Sequence, residues 1–132
     1  MDAFSAATDA KLRLPETDDP AADFGVQITE LGALLAGDRG TVHAAMLGGA
    51  RTDADLARAL GERWLAPRRA WGEARIAAAI AAGRCHAGMD PSTALGLLYG
   101  PLYAPLLFGQ PVPPSAAIEA HLRYALPAVF VA

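Results

Sequence analysis

Residues 91–118 read PSTALGLLYGPLYAPLLFGQPVPPSAAI and carry no charged side chain. Such a stretch is too apolar for a helix with one face in water. Its glycines and prolines break it too often for a membrane span, which needs about 20 continuous apolar residues. A soluble chain that keeps this stretch must bury it on more than one side, against its own helices or against a second copy of itself.

The rest of the chain points to helices as the cover. At 132 residues the protein is long enough for one domain with a real core. Alanine and leucine abound, while Val, Thr and Tyr are sparse, so the expected fold class is all-α, a helical bundle of five to six helices. The net charge is −3 and the arginines are scattered or paired with acids, which argues against a nucleic-acid surface on this chain. A lone cysteine, Cys85, excludes an internal disulfide and fits a reducing, cytoplasmic setting. The first residues, MDAFSAATDAKLRLPETDD, lack the basic head and apolar core of a signal peptide.

The pattern divides the chain as follows. Residues 1–13 read as the end of a helix or a frayed terminus, and Leu14 to Asp18 as a connector. Asp19-Pro20 supplies a cap followed by a first-turn proline. From there Phe24, Ile28, Leu31 and Leu35 form one apolar face, ended by Gly37. A short second helix, with Val42, Met46 and Leu47 on one side and His43 beside them, should break at Gly48-Gly49. A third opens near Thr52 and carries Leu56, Leu60 and Trp64 on one face. Pro67 should kink or split it before it runs on through Trp71 to Gly83. The spacing places Arg63, Arg68, Arg69, Glu62 and Glu73 on a solvated face. Asp90-Pro91 opens a fourth helix to about residue 108, with Gly96, Gly100 and Ala104 as a row of small residues and Pro101 and Pro105 as bends. After the rigid loop 109–114, a last helix carries Ile118, Leu122, Ala125 and Val129, with Pro127 at its end.

No catalytic pattern appears. The chain has no phosphate loop, no nucleophile elbow and no paired carboxylates in an apolar setting, so no enzyme activity is expected. His43, Cys85, His86 and His121 are too scattered for a metal site, and no cofactor is implied. The candidates for a binding site are Phe24, Ile28, Met46, Trp64, Trp71, Tyr99 and Tyr103, on the buried faces of different helices, with His43 as one more polar contact. Singly, such residues are more often plain core. As a set they leave indole and phenol groups that need partners inside an apolar region, where helical domains bind small molecules.

Three segments, LPETDDPAADF, RTDADLARALGERWLAPRRAWGEARIAAAIAAGRC and MDPSTALGLLYGPLYAPLLFG, together resemble the C-terminal domain of TetR-type transcription regulators, over residues 14 to 126. The resemblance implies that residues 14–132 form a ligand-sensing and dimerisation domain, with an effector cavity among the helices that carry the aromatic set. In that family the last two helices of each subunit pair with their copies in a four-helix bundle. This implies a homodimer with Gly96, Gly100, Ala104, Ile118 and Leu122 at its interface. Ala104-Pro105 departs from the family pattern, which often has an arginine there. No helix-turn-helix text precedes residue 14, so DNA binding is expected only through a missing N-terminal reader, of which residues 1–13 would be the connecting remnant. The effector is expected to be small and apolar or aromatic. The competing reading is a stand-alone helical dimer that binds a small apolar ligand or a protein partner with no DNA-binding output.

Overall fold

The computed structural model describes residues 15–131, and the connecting-helix remnant expected over residues 1–13 lies outside them. Among the described residues six α-helices follow one another: α1 (Pro20–Leu35), α2 (Asp38–Ala50), α3 (Ala54–Leu60), α4 (Ala66–Ala81), α5 (Pro91–Leu107) and α6 (Ser115–Val129). Among the described residues strand pairing is limited to an isolated antiparallel bridge between Cys85 and Phe130. The fold is all-α, as composition and periodicity require.

The helix starts follow their caps. The Asp19 side chain accepts from the Ala22 N–H at 3.2 Å, and Asp90 does the same for Thr93 at 3.0 Å. Asp53 caps α3 through Asp55 and Leu56. Two expected ends fail. The α2 helix runs through Gly48-Gly49 to Ala50, and α6 runs through Pro127 to Val129. At Gly49 an added Cβ would lie 2.9 Å from the Leu56 side chain, so the close packing of α2 on α3 outweighs glycine's poor helix propensity. The end of α6 is held by the Phe130 N–H on the Leu126 carbonyl and by the His86 N–H on the Val129 carbonyl.

Pro67 does not split the third helical region, which stays helical throughout. The chain instead widens into a π-helical turn, Gly61–Leu65, between α3 and α4. Pro67 has no N–H to give to the carbonyl four residues earlier. The wider turn, in which the Ala66 N–H reaches the Gly61 carbonyl, absorbs that missing bond.

The first helix is the centre of the packing. It touches α2, α4, α5 and α6. Phe24, Ile28 and Leu31 on its inner face are essentially inaccessible, as are Trp64, Ile76, Leu98 and Leu102 opposite them. Each contributes about 1.5–3 kcal/mol by leaving water. Gly32 lets α6 come close, since a Cβ there would meet Ile118 Cδ1 at 2.3 Å. Ile118 and Leu122 are therefore buried inside the subunit, at 4% and 8% exposure. Expected at a two-fold interface, they lie against α1 within the subunit. A buried ion pair locks α1 to α4. Arg75 Nη2 lies 2.5 Å from Asp23 Oδ2, with the side chains 15% and 2% exposed, and the same carboxylate receives the Thr17 N–H and hydroxyl.

Candidate functional site

Between α1, the π-turn, α4 and α5 lies a partly open hollow of about 390 Å³. Its walls are aromatic. Trp64 comes from the π-turn, Trp71 from α4, and Tyr99 and Tyr103 from one side of α5. Gln27 and Leu31 of α1 also line it, with the half-buried Arg68 and the exposed Leu65, Arg69 and Ser92. Leu95 reaches across to α4, where only a glycine fits: a Cβ on Gly72 would lie 2.8 Å from Leu95 Cδ2. A second hollow, about 600 Å³, runs between α1 and α6, but it is a shallow groove of small side chains open to solvent.

The polar groups of the aromatic hollow are fixed from behind. The Tyr99 hydroxyl donates to the side-chain carbonyl of Gln27, itself 2% exposed. The Arg68 guanidinium lies 3.7 Å from the centre of the Trp64 ring and donates to the Trp64 carbonyl at 3.0 Å. His43, fully buried, also packs on Trp64, with ring centres 4.5 Å apart, and lies 5.8 Å from the Tyr103 ring. Burial first, and Arg68 second, lowers the His43 pKa to about 4, so its ring is neutral at pH 7. Burial raises the Tyr99 phenol far above its ordinary value, and Tyr103 adds to this. Burial also raises Tyr103, opposed by Trp64 and Arg68. Both tyrosines stay protonated and act as hydrogen-bonding walls.

Of the eight residues expected to line a pocket, the structure brings Trp64, Trp71, Tyr99 and Tyr103 onto one hollow. His43 lies behind Trp64 and braces it. Phe24 and Ile28 lie outside the wall: Phe24 packs against Trp71 at 4.9 Å and Phe130 at 5.9 Å, and both residues belong to the closed core. Met46 is partly buried against that core and also lies outside the wall. On α2 it is His43, not Val42, that turns inward; Val42 is 48% exposed.

Several wall residues lie outside the expected binding set, Arg68 and Gln27 among them. Arg68 was assigned to a solvated face, yet it stands four residues after Trp64 and three before Trp71, on their side of the helix. Gln27 stands three after Phe24 and four before Leu31, on the buried stripe of α1. The spacing signal was present for both, but polarity masked it. Gly96 and Gly100 also line the hollow, so the row they share with Ala104 borders the cavity on one side.

The outer face of the last two helices is apolar. Leu97, Pro101 and Ala104 of α5 and Phe108, the residue that caps its end, form a stripe, and Leu97 and Phe108 are 44% and 79% exposed. On α6, Ala117, Tyr124 and Ala128 share an exposed side with the half-buried His121, whose Nε2 donates to the Leu98 carbonyl at 2.8 Å and ties the two helices together. Among the described residues no group of His, Cys, Asp and Glu has the makings of a metal site. No described helix is long and apolar enough to cross a membrane.

These features define an all-helical domain with an aromatic hollow on one side of α5 and an uncharged stripe on another. A family profile described as tetracyclin repressor-like, C-terminal domain, matches residues 14–124. The chain belongs to that family. A curated relative, the uncharacterized HTH-type transcriptional regulator YdeS of Bacillus subtilis (strain 168), is 28% identical over 107 residues, or 81% of this chain and 54% of that protein. The chain thus spans about half the length of the curated relative it matches. Among solved structures, the TetR family transcription regulator SCO0332 superposes with a TM-score of 0.84 at 28% identity, over 97% of this chain and 71% of that one. Both relatives are described as transcription regulators.

Proposed function

We propose that this chain senses a small effector in the aromatic hollow and forms a homodimer through the outer face of α5 and α6. It would serve as the regulatory part of a TetR-type transcription regulator in the cytosol. The observation that carries this reading is the division of labour on α5. One side of the helix presents Tyr99 and Tyr103 to the hollow, and another presents Leu97, Pro101, Ala104 and Phe108 outward.

A molecule that wedges into the hollow presses on the same helix that meets the partner subunit. A small tilt of α5 then changes the angle between subunits. In a full-length regulator that angle sets the spacing of two DNA readers. The ligand acts only by binding one arrangement better than the other, a shift of population that releases the operator. YdeS is described as HTH-type and is nearly twice as long as the matched region, which supports a reader in the longer protein.

Static light scattering after size exclusion tests the dimer. The expected mass is twice that of the chain, and a monomer at micromolar concentration contradicts the interface. A panel of apolar aromatic compounds tests the hollow: at least one should change the emission of Trp64 or Trp71 saturably, and silence across the panel contradicts an effector site.

A further inference from the structure

The described residues of one subunit do not close the aromatic hollow. On its α5 side, Ser92, Gly96 and Gly100 line it and are exposed. Among the described residues no atom lies within 4 Å of a Cβ added at Gly96 or Gly100. An apolar molecule held against Tyr99 and Tyr103 would therefore keep part of its surface in water along these glycines. Surface left in water forgoes the gain of burial.

The same glycines are where the hollow borders the uncharged stripe. At about 100° per residue, Gly100 stands about 60° around α5 from Tyr103 in one direction and about 60° from Leu97 in the other. Leu97, Pro101 and Ala104 are all exposed. Phe108 is the most exposed of the large hydrophobic residues described, at 79%, and it lines no part of its own subunit's hollow.

The stripe carries its small residues in the middle and its large ones at the ends. Helices approach most closely where their side chains are small, so a two-fold axis near Pro101 and Ala104 gives the tightest pairing of two copies. In a two-fold interface every contact is made twice, with the roles exchanged. Each end of the stripe then meets the opposite end of its copy. The partner's Phe108 falls beside Leu97, next to Gly96 and Gly100.

Resting on the effector and dimer readings above, we infer that each aromatic hollow is completed by the second copy: the ring of the partner's Phe108 closes over Gly96 and Gly100 and covers the molecule bound there. The missing side chains at these two positions leave room for both the ring and the ligand. Ligand and partner are thereby coupled. The dimer binds the ligand more tightly than the monomer does, and the ligand tightens the dimer by the same factor.

The probe for the test is N-phenyl-1-naphthylamine, a neutral aromatic compound whose emission rises in apolar surroundings. On the unaltered chain, sedimentation over a dilution series with and without saturating probe should show the dimer dissociation constant falling about fivefold or more. Phe108→Ala removes the ring and leaves every residue of the hollow in place. At concentrations where light scattering still gives a dimer, its affinity for the probe should be about fivefold weaker than that of the unaltered dimer. The measurement on the unaltered chain needs no variant, so a poorly assembled Phe108→Ala does not spoil the test. A dissociation constant that the probe leaves unmoved, or equal affinity of the two dimers, overturns completion by the partner and leaves the effector site standing. No saturable binding of the probe to the unaltered chain overturns both.

Discussion

His43 shows how a single buried side chain ties stability to pH. Its ring is fully buried against Trp64, and its pKa falls from 6.5 to about 4. The unfolded chain therefore binds a proton that the folded chain refuses between those two values. Stability should be unaffected by this group above pH 6.5 and should drop by about 3 kcal/mol as pH falls to 4. Urea unfolding of the unaltered chain and of His43→Gln at pH 7 and pH 4.5 checks this; the variant should lose less on acidification. Asp23 makes the opposite case, a charge kept in the interior by its partner. Removing Arg75 as Arg75→Met leaves that carboxylate 2% exposed without its cation and should destabilise by about 3 kcal/mol in thermal or urea unfolding. Residue identity was readable for the four aromatic walls because large apolar side chains at helical spacing must go inward. Arg68 and Gln27 were missed because polarity argues for solvent. A ring under the guanidinium and a phenol on the amide reverse that argument, and neither partner is visible until the helices are assembled.

Among the helices, glycines set the spacing that creates the hollow. Gly40 sits where α2 turns back on α1, and a Cβ there would lie 1.6 Å from the Leu35 carbonyl oxygen. Backbone cannot swing aside as a side chain can, so Gly40→Ala should cost at least about 2–3 kcal/mol in unfolding measurements. Gly72 differs, because the atom in the way is the tip of Leu95, a wall residue. Gly72→Ala should push Leu95 into the hollow and weaken binding of an apolar aromatic compound about tenfold with only a modest loss of stability; unchanged binding would mean that Leu95 turns elsewhere. Caps at Asp19 and Asp90 made two helix starts legible to the residue. The π-turn before Pro67 was not legible, because a proline states only that one hydrogen bond is missing and not how the chain absorbs it. The persistence of α2 through Gly48-Gly49 depends on Leu56, which belongs to the next helix. Such packing is a tertiary fact, and local propensity cannot supply it.

For the whole molecule, the uncharged stretch 91–118 finds cover on two sides. Leu98, Leu102 and Leu106 are buried in the subunit's own core, and Tyr99 and Tyr103 stand in the hollow. The remaining side, Leu97, Pro101, Ala104 and Phe108, is what the dimer reading assigns to a second copy. Leu97→Glu combined with Phe108→Glu should shift the scattering mass toward the monomer while leaving helix content by circular dichroism unchanged. The sequence made an apolar surplus on the last two helices obvious. It could not sort Ile118 and Leu122 from the outward residues, because both faces of a short, alanine-rich helix are apolar. The central claim is that a small molecule occupies the space between Trp64 and Trp71. These are the two tryptophans of the chain, so its proton–nitrogen correlation spectrum has two indole N–H signals. Titration with the apolar aromatic compound that changes tryptophan emission should move both indole signals saturably and along with the amides of Gln27 and Gly100. Binding that leaves both indole signals in place, or shifts confined to residues around Tyr124, would contradict the account.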